Sequence, residues 1–416
     1  MDNIEFGCIG RTLTHSYSVA VHAALADYDY RLIPLEPEAL EPFMREKAFR
    51  GINVTIPYKQ AVIPFLDEVE PSALAIGAVN TVVNREGRLF GYNTDQYGLE
   101  ALLRRTGICV GGKKVMITGS GGTARTAKAV VSRLGAEQIV CVSRAPGEGS
   151  VSYAEAEAAH GDSGIIINAT PVGMYPRLVG QSLLHLAKFH DLHGVIDAVY
   201  NPLRSALVQE AQQRGIPAAG GLFMLTSQAA EAVRLFTGGT LPEGRAEDCY
   251  RRILADTRNI VLIGMPGCGK STVGRALAKL TGKPLLDTDA LTEKEAGMTC
   301  RELITLRGEA AFREAERRVI QSLAPLTGHI LATGGGSILD PANVADLKGN
   351  GVLVFLDRSP DALPVDESRP LAASRPAIEQ LYRSRLPLYR QAADISLCPG
   401  ADAESTAAMI LKEVLL

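Results

Sequence analysis

Ile260-Val261-Leu262-Ile263-Gly264-Met265-Pro266-Gly267-Cys268-Gly269-Lys270-Ser271 is an apolar run that opens into a glycine-rich loop of the pattern G-x-x-x-x-G-K-[ST]. The helical pattern Thr272–Leu280 follows directly. Strand, loop and helix in that order make a phosphate cradle. Backbone N–H groups face the phosphates, the lysine reaches the outer two, and the hydroxyl after it ligates Mg²⁺. Gly267, Cys268, Gly269, Lys270, Ser271 and Thr272 are therefore candidate nucleotide residues, with Ser271 the candidate metal ligand. Cys268 reads as a small filler or, if accessible beside Lys270, as a reactive thiol. The loop begins only at residue 264 of 416, so a complete separate protein can precede it.

At ~150 residues per domain, the length suggests about three compact units. The chain is 46% hydrophobic and 21% charged, as in globular proteins. A net charge of −3 gives no reason to expect nucleic acid. No apolar run reaches the ~18 residues of a membrane span. Met1-Asp2-Asn3-Ile4-Glu5 lacks the basic and apolar regions of a signal peptide. Seven scattered cysteines without a C-x-x-C pair argue against a disulfide framework and a zinc site. The expectation is a cytoplasmic enzyme of small molecules, monomer or homodimer, with neither nucleic acid nor membrane as partner.

Short β-rich runs alternate with Ala/Leu/Glu-rich stretches throughout, which predicts an α/β chain with parallel sheets. Phe6–Ile9, Tyr30–Leu35 and Gly51–Ile56 read as strands of a first unit. Lys114–Ile117, Gln138–Val142, Gly164–Asn168 and Gly194–Asp197 read as strands of a second, with a helix over Thr123–Leu134. Ile260–Ile263, His329–Ala332 and Gly351–Leu356 read as strands of a third. The joint near Asp256-Thr257-Arg258 lacks the Gly, Ser and Pro of a flexible linker, and Glu247–Ala255 before it reads as helical.

Lys114–Ile117 leads into Thr118-Gly119-Ser120-Gly121-Gly122-Thr123-Ala124-Arg125, a second strand, glycine turn and helix. Such glycines let a backbone approach a pyrophosphate, and the helix N-terminus favours its charge. A turn of this kind also serves simply to join a strand to a helix. The next strand ends in Ser143-Arg144, where an NAD site would place Asp or Glu. An arginine there suits the 2′-phosphate of NADP, or is a solvated surface residue. Gly119, Ser120, Gly121, Gly122, Thr123, Ser143 and Arg144 are the candidate cofactor residues. Ahead of this turn, Asn53–Lys59 ends a predicted strand with a lysine, and Gly77–Thr81 and Asn93-Thr94-Asp95 follow. Lys59 and Asp95 could form a proton-transfer pair beside a carbonyl, or be surface charges.

His15-Ser16-Tyr17-Ser18, Asn53–Lys59, Gly77–Thr81, Asn93-Thr94-Asp95, the Gly119–Arg125 turn, Asn168-Ala169-Thr170, Tyr200-Asn201-Pro202 and Gly221…Met224-Leu225…Gln228 stand in the order of a shikimate dehydrogenase. Residues 1–256 resemble that family. The resemblance implies a two-lobed enzyme that reduces 3-dehydroshikimate to shikimate with NADPH. Residues 1–100 plus about 222–256 would bind substrate, and 101–221 would form a Rossmann NADP lobe. It implies Lys59 and Asp95 as the catalytic pair, and Ser16 and Ser18 on the substrate carboxylate. Asn53, Thr55, Asn80, Tyr200 and Gln228 would surround the ring hydroxyls, and Gly221 would join the cofactor residues. A front half acting on quinate, or on both acids, is the alternative within enzymes. A non-catalytic half serving as regulatory scaffold is the alternative outside them.

Behind the phosphate loop, Asp287-Thr288-Asp289 ends a predicted strand, where one carboxylate suits metal and the other substrate. Phe312-Arg313 after Arg307-Gly308-Glu309, Thr333-Gly334-Gly335-Gly336, Arg369-Pro370-Leu371 and Arg385…Pro387-Leu388-Tyr389 follow. Residues 257–416 resemble shikimate kinase in this order of motifs. The resemblance implies a P-loop fold of the nucleoside-monophosphate-kinase kind with a parallel sheet, a substrate region at about 288–320 and a lid at about 358–372. It implies phosphorylation of shikimate to shikimate 3-phosphate by ATP and Mg²⁺. Asp289 would meet the 3-hydroxyl, Arg313 and Arg385 the carboxylate, Gly335 and Gly336 the ring, and Arg369 the phosphates. Lys270 would act in catalysis, and Asp287 is a second candidate metal ligand.

Two departures from the families generate predictions. The dehydrogenase family follows its arginine with a second basic residue, where this chain has Ala145-Pro146-Gly147-Glu148. NADP is therefore expected to be preferred over NAD by a smaller margin than is usual. Steady-state kinetics with both cofactors checks this, and equal or better efficiency with NAD refutes it. The kinase family carries basic residues upstream of its lid arginine, where Ser359–Ser368 has only acidic charges. ATP titration should therefore show weaker binding than is ordinary for the family, and ordinary affinity refutes that expectation.

Overall fold

The computed structural model describes residues 4–13, 16–175, 182–365 and 374–415. His15 and Arg369 lie outside these. The chain divides into two compact units, Met1–Leu254 and Ala255–Leu416. The helix Arg245–Thr257 is followed after one residue by a strand starting at Asn259.

Among its described residues the front unit holds two six-stranded sheets. The first contains β1 (Ile4–Gly10), β2 (Tyr30–Pro34), β3 (Phe49–Val54), β4 (Glu68–Val69), β5 (Thr81–Arg85) and β6 (Arg88–Tyr92), in the order β2-β1-β3-β5-β6-β4. It is mixed. β1 runs parallel to β2 and β3, whereas β5 is antiparallel to both β3 and β6. The β5–β6 hairpin closes through Glu86 and Gly87, both at positive φ (54° and 84°). A two-residue hairpin needs that handedness, and a glutamate rarely supplies it, so the turn signal is faint. β3 also stops at Val54, two residues short of the predicted end. Pro57 has no N–H with which to continue a ladder, and Lys59 lies in the turn beyond it.

The second sheet contains β7 (Lys114–Thr118), β8 (Gln138–Val142), β9 (Ser150–Val151), β10 (Ile165–Asn168), β11 (Gly194–Asp197) and β12 (Ala218–Ala219). Its order is β12-β11-β10-β7-β8-β9, and every pair is parallel. This is the doubly wound dinucleotide topology, and its direction reverses between β7 and β10. β10 and β11 are buried along their whole length, as parallel strands covered on both faces require.

The back unit has one parallel sheet of β13 (Asn259–Ile263), β14 (Leu285–Asp287), β15 (Ile330–Ala332), β16 (Gly351–Leu356) and β17 (Ile395–Leu397), ordered β14-β15-β13-β16-β17. β13 and β16 are fully buried and run through the unit's main apolar core. The phosphate loop leaves the central strand β13. Asp287 ends β14 and accepts the N–H groups of Asp289 and Ala290, capping the helix Thr288–Ala296. Asp289 therefore opens a helix rather than sharing the strand end. Among the described residues, no helix is long and apolar enough to cross a membrane.

Candidate active sites

In the front unit the turn after β3 carries Lys59, whose carbonyl accepts the N–H of Val79 at 2.7 Å. Lys59 Nζ donates to Asp95 Oδ2 at 2.5 Å, with side chains only 13% and 10% exposed. Asp95 is the first residue of the helix Asp95–Thr106, where the N-terminal N–H groups favour its charge. Asn80 Nδ2 donates to Asp95 Oδ1 at 2.8 Å, and Asn80 Oδ1 accepts the Thr94 N–H at 2.6 Å. Gln228 Oε1 accepts from Thr94 Oγ1 at 3.1 Å. Asn53 donates to Thr81 Oγ1 at 3.1 Å and accepts from the buried Tyr30 hydroxyl at 2.6 Å. Lys59, Asp95, Asn80, Gln228 and Asn53 thus belong to one hydrogen-bonded cluster.

Ser16 Oγ donates to Ser18 Oγ at 2.9 Å. The Tyr200 hydroxyl, pushed up to about 12 by burial, also bonds to Ser16. The buried Cys8 of β1 lies near both Lys59 and Tyr200, so the serine and lysine clusters are neighbours. The Thr55 side chain sits against Gly10 at the end of β1.

Gly119 follows β7 at φ +110°, and a Cβ there would stand 3.1 Å from the Ala169 carbonyl. Gly121 caps the helix Gly122–Arg133, and nothing lies within 4 Å of where its Cβ would be. That open space above unpaired helical N–H groups fits a pyrophosphate. A Cβ on Gly122 would stand 3.0 Å from Lys59 Cδ, so this helix start lies against the lysine. Ser143 and Arg144 follow β8, the strand beside β7, and Arg144 is exposed. Gly221 caps the helix Leu222–Thr237 tight against Ala198, which leaves no room for a side chain.

In the back unit Gly264, Gly267 and Gly269 all have positive φ (148°, 80° and 100°), and the place of a Gly269 side chain is open. Lys270, 9% exposed, donates to the carbonyls of Gly264 and Met265 at 2.9 and 3.0 Å. Cys268 is buried, so the accessible-thiol alternative falls and the filler reading holds. Ser271 Oγ donates to Asp287 Oδ2 at 2.7 Å. A hydroxyl and a carboxylate beside the loop are hard oxygen donors that suit Mg²⁺, which keeps water and phosphate oxygens as its other ligands.

The Gly334-Gly335-Gly336 turn gathers the other candidates. A Cβ on Gly334 would stand 2.5 Å from Asp289 Oδ1 and 2.8 Å from Glu316 Oε1. A Cβ on Gly335 would meet Pro266 of the phosphate loop at 2.8 Å, and one on Gly336 would meet the Arg313 guanidinium. Arg313 donates to Glu316 at 2.8 Å and to Glu309 at 3.0 Å. Arg385, 6% exposed, donates to the Gly335 carbonyl at 3.0 Å. The structure thus brings Asp289, Arg313, Gly335, Gly336 and Arg385 together beside the phosphate loop.

Residues 8–82 match the family model described as shikimate dehydrogenase substrate binding domain, and residues 266–415 match that described as shikimate kinase. The NADP(+)-type shikimate dehydrogenase of Methanothermobacter thermautotrophicus is 35% identical over 273 residues, 60% of this chain and 96% of that protein. The front of the chain belongs to the shikimate dehydrogenase family, and a shikimate kinase domain follows it. A crystal structure of Thermus thermophilus shikimate 5-dehydrogenase with NADP(H) and shikimate is 33% identical at a TM-score of 0.54, covering 60% of this chain and 99% of that one. Quinate dehydrogenase from Corynebacterium glutamicum in complex with NAD has the same coverage, 27% identity and a TM-score of 0.53.

Both units hold polar residues at their sites whose part was not apparent from the sequence. Thr94 and Thr81 link Asn80, Gln228 and Asn53 in the dehydrogenase, although Thr94 stands inside the quoted Asn-Thr-Asp motif. Glu316 is buried in the kinase, where Ser337 Oγ also donates to it at 2.6 Å. Its position three residues after Arg313 on a helix was the available signal.

Asp197 at the end of β11 is a further buried acid, pushed up to about 6 by burial against opposing bonds from Ser205, Val199 and Asn168. Its unfolded value lies near the ordinary ~3.9. The folded state therefore holds its proton longer, and the stability this confers is full below pH 4 and lost as pH rises through 6. Urea unfolding of the dehydrogenase should show wild type losing on the order of 3 kcal/mol relative to Asp197→Asn between pH 4 and 7. A constant difference across that range refutes the shift.

Proposed function

We propose that the front half reduces 3-dehydroshikimate to shikimate with NADPH and that the back half phosphorylates shikimate on its 3-hydroxyl with Mg-ATP. The proposed division is 1–100 plus about 222–256 for substrate, 101–221 for NADP and 257–416 for the kinase. The observation that carries the first step is the Lys59–Asp95 pair at 2.5 Å, with the helix of the glycine turn against the lysine stem.

NADPH would be held along the Gly119–Thr123 turn, with Ser143 and Arg144 for its 2′-phosphate, and would supply the hydride for the substrate carbonyl carbon. Lys59 gives a proton to the carbonyl oxygen, and Asp95, bonded to its Nζ at 2.5 Å, holds the lysine in place. Ser16 and Ser18 hold the substrate carboxylate. Asn53, Thr55, Asn80, Tyr200 and Gln228 meet the hydroxyls. A site that bonds every hydroxyl strongly rejects an analogue lacking one.

In the kinase, Gly267–Thr272 would hold ATP, which would supply the phosphoryl group, and Ser271 and Asp287 would hold Mg²⁺. Lys270 neutralises charge on the phosphates, a role proposed also for Arg369. Asp289 accepts the hydroxyl proton of shikimate, while Arg313 and Arg385 pair with its carboxylate. Arg313 is half-buried, which works against its charge, but Glu316 and Glu309 outweigh this and keep it charged.

The likeness to a quinate dehydrogenase favours a second reading, a front half of mixed quinate and shikimate specificity. The bonded Ser16–Ser18 pair and the fusion to a shikimate kinase domain support the narrower one. Assays with both acids side by side separate the two.

Lys59→Ala should lower dehydrogenase turnover by about 10²–10⁴-fold and leave the kinase intact. Asp289→Ala should do the reverse. A coupled assay from 3-dehydroshikimate, NADPH and Mg-ATP, reading NADPH loss and ADP formation together, checks both. If either variant keeps the activity it should lose, the corresponding assignment fails.

A further inference from the structure

Three contacts fall on one face of the first turns of the Gly122–Arg133 helix, the helix that starts the proposed pyrophosphate cradle. Gly122 lies against the Lys59 stem, with room for a Cβ only at 3.0 Å from Cδ. One turn on, Thr126 is fully buried, and its Oγ1 accepts from Asn93 Nδ2 at 3.0 Å while donating to the Gly122 carbonyl. Asn93 is also fully buried, and its amide donates to the Ala78 carbonyl at 2.8 Å. It stands two residues before Asp95, and its oxygen accepts the N–H of Gln96. Between these two contacts, Arg125 reaches the residue after Lys59. With the Gln60 amide oriented to satisfy both groups, its oxygen accepts from Arg125 Nε at 3.0 Å and Nη2 at 3.2 Å. The same guanidinium lies 3.3 Å from where a Gly77 Cβ would be.

The helix that begins the cofactor cradle thus grips both members of the proton-transfer pair through residues close to them in the chain. Gln60 adjoins Lys59, and Asn93 leads into Asp95. None of these bonds is needed to form the helix, and Arg125–Gln60 is exposed, where it adds little to stability. What the contacts do fix is the position of the helix relative to the lysine. Transfer of hydride to carbon and proton to oxygen of one carbonyl is sensitive to displacements of about 1 Å, which cost on the order of 10²-fold in rate.

We infer that Thr126 and Arg125 are positioning residues of the dehydrogenase, which set the register between the cofactor helix and the Lys59–Asp95 pair by way of Asn93 and Gln60. The inference rests on the proposed roles of the glycine turn and of Lys59.

The test uses the full chain with Thr126→Val, Arg125→Ala and Gln60→Ala, and Arg125→Lys as the conservative variant. NADPH affinity is read from nucleotide fluorescence, and kcat from NADPH and from NADPH deuterated at the transferred position. Kinase activity and the dehydrogenase melting temperature are followed in the same preparations. Each of the three variants should lower kcat by about tenfold and enlarge the isotope effect on kcat, with NADPH Kd within about twofold of wild type. Arg125→Lys should restore part of the loss. The inference is overturned if kcat stays within twofold in all three. It is overturned equally if losses follow a falling melting temperature with an unchanged isotope effect. It also fails if Arg125→Ala alone weakens NADPH about tenfold while Gln60→Ala does not, because Arg125 would then be a phosphate ligand. Failure of the underlying chemistry shows separately, as turnover retained by Lys59→Ala.

Discussion

An ammonium and a carboxylate 2.5 Å apart, both largely withdrawn from water, set the terms for the rest of the front unit. Desolvating such a pair costs several kcal/mol per ion, and their attraction offsets this only if the remaining lone pairs and protons also find partners. Asp95 keeps one oxygen for Lys59 and gives the other to the Asn80 amide. Asn80 then needs an acceptor role for its own oxygen, which the Thr94 N–H provides. Thr94 turns to Gln228, Thr81 bridges to Asn53, and Asn53 closes on Tyr30. Satisfying one pair therefore requires the turn after β3, the start of β5, the Asp95 helix and the Leu222–Thr237 helix to meet at one place. This is a physical reason why a chain that leaves the first sheet at residue 92 returns to it beyond residue 221, after completing a second sheet.

The kinase domain meets a similar constraint with other groups. Glu316 can be buried because Arg313 and Ser337 occupy its oxygens. Those partners also place Arg313 against the Gly334–Gly336 turn. The three glycines there are required less by dihedral angle than by space. Where their side chains would stand are Asp289 and Glu316, then Pro266, then the Arg313 guanidinium. The acid, the phosphate loop and the arginine approach the same few atoms of backbone, and only residues without side chains permit it.

The strands that carry both nucleotide turns were legible in the sequence because buried parallel strands leave little ambiguity. Lys114–Ile117 and Ile260–Ile263, with Gly351–Leu356 beside the latter, read as strands on their apolar runs and form β7, β13 and β16. The glycine turns were legible because positive φ selects glycine. The β5–β6 hairpin was not, since its turn places Glu86 in a conformation that glutamate seldom adopts. The networks behind the sites were hidden for another reason. Asn80 and Gln228 are 148 residues apart, and their proximity is a property of the whole unit. Glu316 on a helix three residues after an arginine looks like an ordinary solvated pair until burial shows otherwise. Pattern identifies residues that a reaction needs by type. It does not identify those needed only because another residue has been buried.

The two nucleotide turns use the same strand, glycine loop and helix start, and differ in where they put charge. At Gly119–Thr123 the backbone and the helix N-terminus face the open space, and the lysine nearby is turned to Asp95. On the proposed reading the dinucleotide leaves after every hydride transfer with its phosphates unchanged, so neutral dipoles suffice at its pyrophosphate. At Gly264–Ser271 a lysine lies inside the loop, its ammonium resting on the Gly264 and Met265 carbonyls, and a hydroxyl and a carboxylate stand ready beside it. Phosphoryl transfer moves negative charge toward the leaving oxygen, and stabilising that charge requires full positive charge at fixed points. On that proposed reading, the placement of one lysine in each unit, outside the cradle in the first and within it in the second, follows from what each nucleotide gives up.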